Sequence, residues 1–99
     1  MKTTAEYKLA LQVVGTVIRE WDPYSLLKAG CPNDEFDAEI ASVVSQVPRI
    51  KSAQDAAQAL SRVFSSAFEP EDFKPQDCRD AGTKLFEALS THGLLPGRA

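Results

Sequence analysis

The chain has 99 residues, of which 43% are hydrophobic and 25% are charged, as is usual for one folded domain. Its net charge is −3 and it has no run of Lys or Arg, which argues against nucleic acid as a direct ligand. Its apolar stretches are far shorter than the about 20 residues of a membrane span, and its start lacks the apolar region of a signal peptide. We therefore expect one cytoplasmic domain over residues 1–99.

The first segment has the pattern of an amphipathic helix. Thr3 and Glu6 have the spacing of a capping box, and apolar side chains then recur at steps of three and four residues. These are Tyr7, Leu11, Val14, Ile18 and Trp21. Asp22-Pro23 ends this helix, and Asp22 is placed to cap a short second helix that Gly30 would close.

Two further helices are predicted in the middle of the chain. Asn33 or Asp34 would cap the first of them, and Pro48 would stop it. Its apolar stripe is Phe36, Ile40, Val43, Val44 and Val47. The next helix begins at a cap formed by Ser52 and Asp55. Its apolar side is Ala56, Leu60, Val63, Phe64, Ala67 and Phe68.

An acidic loop over residues 69–75 precedes the last helix, and its Phe73 is expected to fold back onto the core. Pro75 opens that helix, Gly93 ends it, and residues 95–99 form a loose tail. The buried side of this last helix is Cys78, Ala81, Leu85, Phe86 and Leu89. Because no segment alternates with a period of two, the sequence predicts an all-α fold, a single small bundle of four main helices plus one short helix.

The sequence offers few groups for catalysis or metal binding. His92 and Cys78 would lie about 21 Å apart on one helix, too far for a thiol and base pair. Cys31 and Cys78 are expected to be free thiols in a reducing compartment, and no zinc-ligand spacing is present. Gly15 and Gly82 belong to no phosphate loop, and in mid-helix they indicate close helix crossings. We therefore predict a protein that is not an enzyme, with no catalytic residue, cofactor or metal.

Acidic residues are concentrated in two segments. Residues 20–39 contain six acids and one base, and residues 69–72 contain three acids and no base. The candidates for partner binding are Asp34, Glu35, Asp37, Glu71 and Asp72. Three interpretations of the first segment stay open: a solvated helix start, a partner-binding patch, and a carboxylate pair for a cation or acid–base chemistry. If the two segments lie close together, they form a negative face that attracts a basic protein.

Two aromatic residues, Trp21 and Tyr24, flank the corner at Asp22-Pro23. In one interpretation they pack on the core with their polar atoms bonded to the backbone. In the other they are exposed anchors for a protein partner, because Trp and Tyr are frequent in interface hot spots. Tyr24 is therefore added to the candidate partner-binding residues as an aromatic contact.

A sequence pattern around this corner resembles a domain-of-unknown-function family of short helical bacterial proteins. The matching residues are Trp21-Asp22-Pro23-Tyr24, Leu27, Cys31-Pro32-Asn33-Asp34-Glu35-Phe36-Asp37 and Glu39-Ile40. The usual pattern is Trp-Asp-Pro, a small residue before Pro, then Asp-Glu-aromatic-Asp. Here Cys31 precedes Pro32, and Phe36 stands where Tyr is frequent. The resemblance assigns no catalytic residue.

Proteins that resemble this chain also occur among the immunity proteins of bacterial contact-dependent growth inhibition. Those proteins bind and neutralise a toxin domain, often an RNase, that a neighbouring cell delivers. The resemblance thus implies a non-enzymatic partner of a basic nuclease toxin. The negative charge and the short apolar stretches argue against direct contact with nucleic acid or membrane. The alternative function is a cytoplasmic housekeeping or regulatory domain, homodimeric through an apolar helix face.

Overall fold

Four α-helices form the fold of the described part of the chain. The computed structural model describes residues 3–23, 26–30 and 35–95. The helices are α1 (Thr4–Trp21), α2 (Asp37–Gln46), α3 (Ala53–Ala67) and α4 (Arg79–Thr91). Helix α1 contacts α2 and α4, and α3 contacts the same two helices, so the four surround one core. The described ranges contain no strand, and the predicted all-α bundle is confirmed.

Side-chain caps start two of the helices where the sequence predicts them. The Thr3 hydroxyl accepts the backbone N–H of Glu6 at 3.1 Å. The Ser52 hydroxyl accepts that of Asp55 at 3.1 Å, and the Asp55 carboxylate accepts the Lys51 N–H at 3.0 Å. These bonds satisfy amides that have no partner within the helix. Both predicted caps are therefore confirmed.

The start of α2 differs from the prediction. The residue that precedes its first turn is Phe36, which offers no side-chain cap, and the helix begins at Asp37. The expected caps, Asn33 and Asp34, lie outside the described residues. The Phe36 side chain is fully buried, so packing of the ring fixes the chain at this point.

The last helix begins and ends with distinct backbone turns. Pro75 opens a 3-10 turn, Pro75–Cys78, so the α-helix itself starts at Arg79 and not at the proline. At the other end Gly93 has φ +67°, and the Leu94 N–H donates to the Leu89 carbonyl at 3.0 Å. This is a Schellman ending, and the helix end that the sequence predicts at Gly93 is confirmed.

Most residues of the predicted apolar stripes are buried or packed against the core, but Tyr7 and Ala67 are exposed. The largest fully buried side chains are Phe36, Phe64, Ile18, Ile50, Leu60, Leu85, Leu89, Val14, Val43, Val44, Val47 and Cys78. Tyr7 is 45% exposed, because burial on α1 begins only at Ala10. The sequence predicts Leu95 in the loose tail, but this residue is only 7% exposed, since the turn at Gly93 directs it back onto the core. Residues 96–99 lie outside the described part of the chain.

Asp22 builds the corner that follows α1. It has φ +45°, a left-handed conformation that residues other than glycine seldom adopt. Its buried carboxylate accepts the N–H of Leu27 at 2.8 Å and that of Lys28 at 3.2 Å. Asp22 therefore binds amides five and six residues further along the chain. The cap of a helix, as predicted here, would bind amides within the first turn. Residues 26–30 form turns, and residues 24 and 25 are outside the described ranges.

A close helix crossing lies between α3 and α4, at Gly82. A Cβ atom at this position would lie 2.7 Å from both the Cα and the N atom of Ala57. Such distances are below van der Waals contact, so only glycine allows the two backbones to approach this closely. The crossing that the sequence predicts at Gly82 is confirmed.

Candidate functional site

Among the described residues, five aromatic side chains cluster at the C-terminal end of α3. This aromatic cluster consists of Trp21, Phe36, Phe64, Phe68 and Phe73. Phe64 is at its centre, with the ring centroids of Trp21 and Phe73 at 5.0 and 5.4 Å. The Phe36 centroid lies 6.1 Å from that of Phe64. The cluster joins the end of α1, the start of α2 and the loop after α3. The predicted burial of Phe73 is confirmed, and the ring contacts of the partly buried Trp21 fit the first of its two interpretations, packing on the core.

The loop after α3 is fixed to that helix by packing and by hydrogen bonds. Its residues Pro70–Asp72 form a 3-10 turn, and the Phe73 side chain is buried. The hydroxyls of Ser61 and Ser65, which are one turn apart on α3, both donate to the Phe73 carbonyl. The acidic side chains of this turn are therefore carried by a backbone that is tied to the core.

Exposed carboxylates border the aromatic cluster. This acidic rim consists of Glu35, Asp37, Glu69, Glu71 and Asp72. The rim residues of the first segment flank Phe36, and those of the second precede Phe73. Because both phenylalanine rings contact Phe64, the two acidic segments lie at the same end of α3. The partial negative charge at the C-terminus of that helix adds to the potential of the rim.

The structure places four of the six predicted partner-binding residues in the rim: Glu35, Asp37, Glu71 and Asp72. The other two, Asp34 and Tyr24, lie outside the described residues. Glu69 joins the rim because it begins the same anchored turn.

Asp37 is paired within the protein. The Arg19 Nη2 atom lies 3.4 Å from Asp37 Oδ1, with the two side chains 40% and 63% exposed. An exposed pair of this kind contributes about 0–1 kcal/mol to stability. The sequence pattern gave no sign of it, because the two residues are 18 positions apart and on different helices.

The lack of a side chain at Gly15 leaves space for the guanidinium of Arg19. A Cβ atom at Gly15 would lie 2.8 Å from Arg19 Nη1 and 3.6 Å from Ile40 Cδ1 of α2. The second distance is an ordinary contact, so the tight approach is to the guanidinium and not to a neighbouring helix. The predicted close helix crossing at Gly15 is wrong in this respect.

A groove of about 420 Å³ runs between α1 and α4. Its floor is apolar and includes Val13, Val17 and the half-buried Leu9 and Ala88. Its polar lining residues are Gln12, Thr16, Glu20, Lys84, Glu87 and His92. Unlike the acidic rim, the groove carries charges of both signs.

The groups considered for catalysis are separated in space. Cys78 is a buried free thiol that precedes α4, whereas His92 is exposed and follows its last turn. Cys31 lies outside the described residues.

Within the described ranges, no group of three or more His, Cys, Asp or Glu side chains could hold a metal ion. In the same ranges, no helix is long and apolar enough to cross a membrane.

We expect alkaline pH to destabilise the protein through Cys78. Burial, and to a smaller extent the nearby Asp77 carboxylate, raises the pKa of this thiol from 9.0 to about 11. The stability that the protonated thiol contributes is complete below the unfolded-state pKa and is lost as pH rises toward the folded-state pKa. Urea unfolding between about pH 8 and pH 11 should show a steeper loss for the wild type than for Cys78→Ala. Parallel profiles for the two proteins would contradict this expectation.

Comparison with known proteins identifies a family. Residues 13–90 match the model of a family described as a domain of unknown function, DUF1871. This range contains the aromatic cluster and the acidic rim. Comparisons with curated proteins and with solved structures gave no match. The predicted membership in a domain-of-unknown-function family is confirmed, and the link to immunity proteins stays a prediction.

Proposed function

The chain belongs to the DUF1871 family, and from this premise we propose that it is a non-enzymatic protein-binding module whose acidic rim binds a basic partner. The partner we propose is a bacterial nuclease toxin domain, an RNase, which the chain neutralises as a cytoplasmic immunity protein. The observation that carries the proposal is that two acidic segments, distant in sequence, meet at one aromatic cluster.

Charge complementarity explains why a nuclease suits this surface. A nuclease presents a basic cleft because its substrate carries one negative charge per phosphate. A surface of carboxylates competes for that cleft and steers the encounter over long distances. The net charge of −3 and the position of the rim at one end of α3 support this type of partner.

The support of the rim favours binding as well. Both Ser61 and Ser65 hold the carbonyl of Phe73, and the ring of Phe36 is buried beside the other acidic segment. Carboxylates on a prearranged backbone lose less conformational entropy on binding than carboxylates on a disordered loop. This arrangement supports tight one-to-one binding.

A double charge reversal in the rim tests the proposal. Glu35→Lys combined with Asp37→Lys should slow association with the inactivated product of an RNase toxin gene, sought beside the gene of this chain, about tenfold or more at low salt. The wild-type association rate should itself fall as salt is raised, because the attraction is screened. Both side chains are exposed, so the double variant should stay folded and lose about 1–2 kcal/mol of stability, from two cations at the start of α2 and the lost pair with Arg19.

A matched control separates local from general charge effects. Glu20→Lys combined with Glu87→Lys makes the same change of net charge in the α1–α4 groove. We expect this control to keep most of the association rate and to protect toxin-expressing cells. If the rim variant also protects those cells, the acidic rim is not the interface. If the neighbouring genes encode no toxin and no basic nuclease domain binds, the immunity function is wrong.

The groove is the observation that favours the alternative function. A regulatory homodimer would cover this groove, including the half-buried Leu9 and Ala88, with a second copy. Sedimentation of the purified protein distinguishes the two cases, because the proposed immunity protein needs no dimer to present its rim.

A further inference from the structure

We propose that Arg19 is an internal counter-ion of the acidic rim, which holds Asp37 in the unbound protein and is displaced by a cation of the partner on binding. This inference rests on the proposed function, since it describes how the same rim meets a basic partner. In this role Arg19 positions the Asp37 carboxylate and opposes the binding of cations that fit this carboxylate poorly.

The geometry of the pair is suited to exchange. The distance of 3.4 Å between Arg19 Nη2 and Asp37 Oδ1 is longer than the about 2.7–2.9 Å of a strong charge-assisted hydrogen bond. Both side chains are well exposed, so water screens their attraction. A partner arginine that reaches the carboxylate with two shorter hydrogen bonds can therefore replace Arg19. Asp37 is held in place in the unbound protein and stays available to such a partner.

Gly15 makes this arrangement possible. The guanidinium of Arg19 folds back over its own helix into the space above Gly15, where a Cβ atom would lie 2.8 Å from Nη1 and 3.4 Å from Cζ. An alanine there would displace the flexible end of the side chain without moving the backbone of another helix. The residue at position 15 therefore controls where the charge of Arg19 lies.

The pair has a consequence for selectivity. While Arg19 is in place, it lowers the negative potential near Asp37 and weakens attraction to any passing cation. A partner gains the full attraction only if it places a cation close enough to displace the arginine. Such a competing internal contact favours a well-matched partner over a poorly matched one.

Two substitutions test this role in the full chain, with a hexa-arginine peptide as the probe. Arg19→Gln removes the charge, whereas Gly15→Ala keeps the net charge and displaces the guanidinium from Asp37. We expect each to tighten binding of the peptide about three- to tenfold in low-salt calorimetry, because Asp37 is then unmasked. The gain should shrink as salt is added.

Arg79→Gln is the matched control. Arg79 is exposed at the start of α4 and lines a groove with Ala53 and Gln54, at the other end of α3 from the rim. Loss of this charge should change binding about twofold or less. If Arg19→Gln and Gly15→Ala change binding no more than Arg79→Gln, or if only Arg19→Gln tightens it, the counter-ion role is overturned. If hexa-arginine fails to bind the wild type, the proposed acidic interface fails instead.

Discussion

Substitution of Gly82 by alanine is expected to lower the free energy of unfolding by about 2–4 kcal/mol. The new Cβ atom would lie 2.7 Å from two backbone atoms of Ala57 and 2.8 Å from its Cβ. A backbone cannot rotate away as a side chain can, so α3 and α4 must separate. The gain in helix propensity from glycine to alanine, about 1 kcal/mol, is too small to offset that loss of packing.

Gly15→Ala is the matched control for this effect. Its Cβ atom would meet only the end of the Arg19 side chain and an ordinary contact from Ile40. We expect its unfolding free energy to stay within about 1 kcal/mol of the wild type, because the guanidinium moves and helix propensity improves. Urea unfolding of the two variants measures the difference. Equal stability of Gly82→Ala and Gly15→Ala would contradict the close crossing of α3 and α4.

Phe64→Ala is expected to be the second severe substitution, with a loss of about 3–5 kcal/mol. Its ring is fully buried and contacts the rings of Trp21, Phe36 and Phe73. A domain of this size is stable by only about 5–15 kcal/mol, so the variant would lose much of its folded population. It would also remove the common support of the two acidic segments.

Phe86→Ala provides the comparison for the aromatic cluster. Phe86 lies on α4 and is only half-buried, so its truncation leaves a smaller cavity. We expect a loss of about 1–2 kcal/mol in the same urea experiment. A loss for Phe64→Ala that is no larger than this would show that the aromatic cluster does not hold this end of the molecule together.

Features set by residues close in sequence could be predicted. The caps at Thr3 and Ser52 and the ending at Gly93 depend on hydrogen bonds within one helical turn, which residue type and spacing reveal. The helical class followed for the same reason, since the apolar period is local. Helix starts were less accurate, because burial of Phe36 and a 3-10 turn after Pro75 depend on the tertiary fold.

Features that join distant segments could not be predicted. The pair of Arg19 with Asp37 crosses two helices, and the hydroxyls of Ser61 and Ser65 meet a carbonyl in the next loop. The excess of acid was visible in the composition. That both acidic segments meet at Phe64 follows only from the packing of the rings.

The central claim is that the acidic rim is the surface that meets a basic partner. Titration of ¹⁵N-labelled protein with the inactivated RNase toxin domain, followed at every backbone amide by NMR, tests it most directly. We expect the largest shifts at residues 35–37 and 69–73. Largest shifts along the α1–α4 groove, at Gln12, Lys84 and Glu87, with the rim unchanged, would contradict the claim.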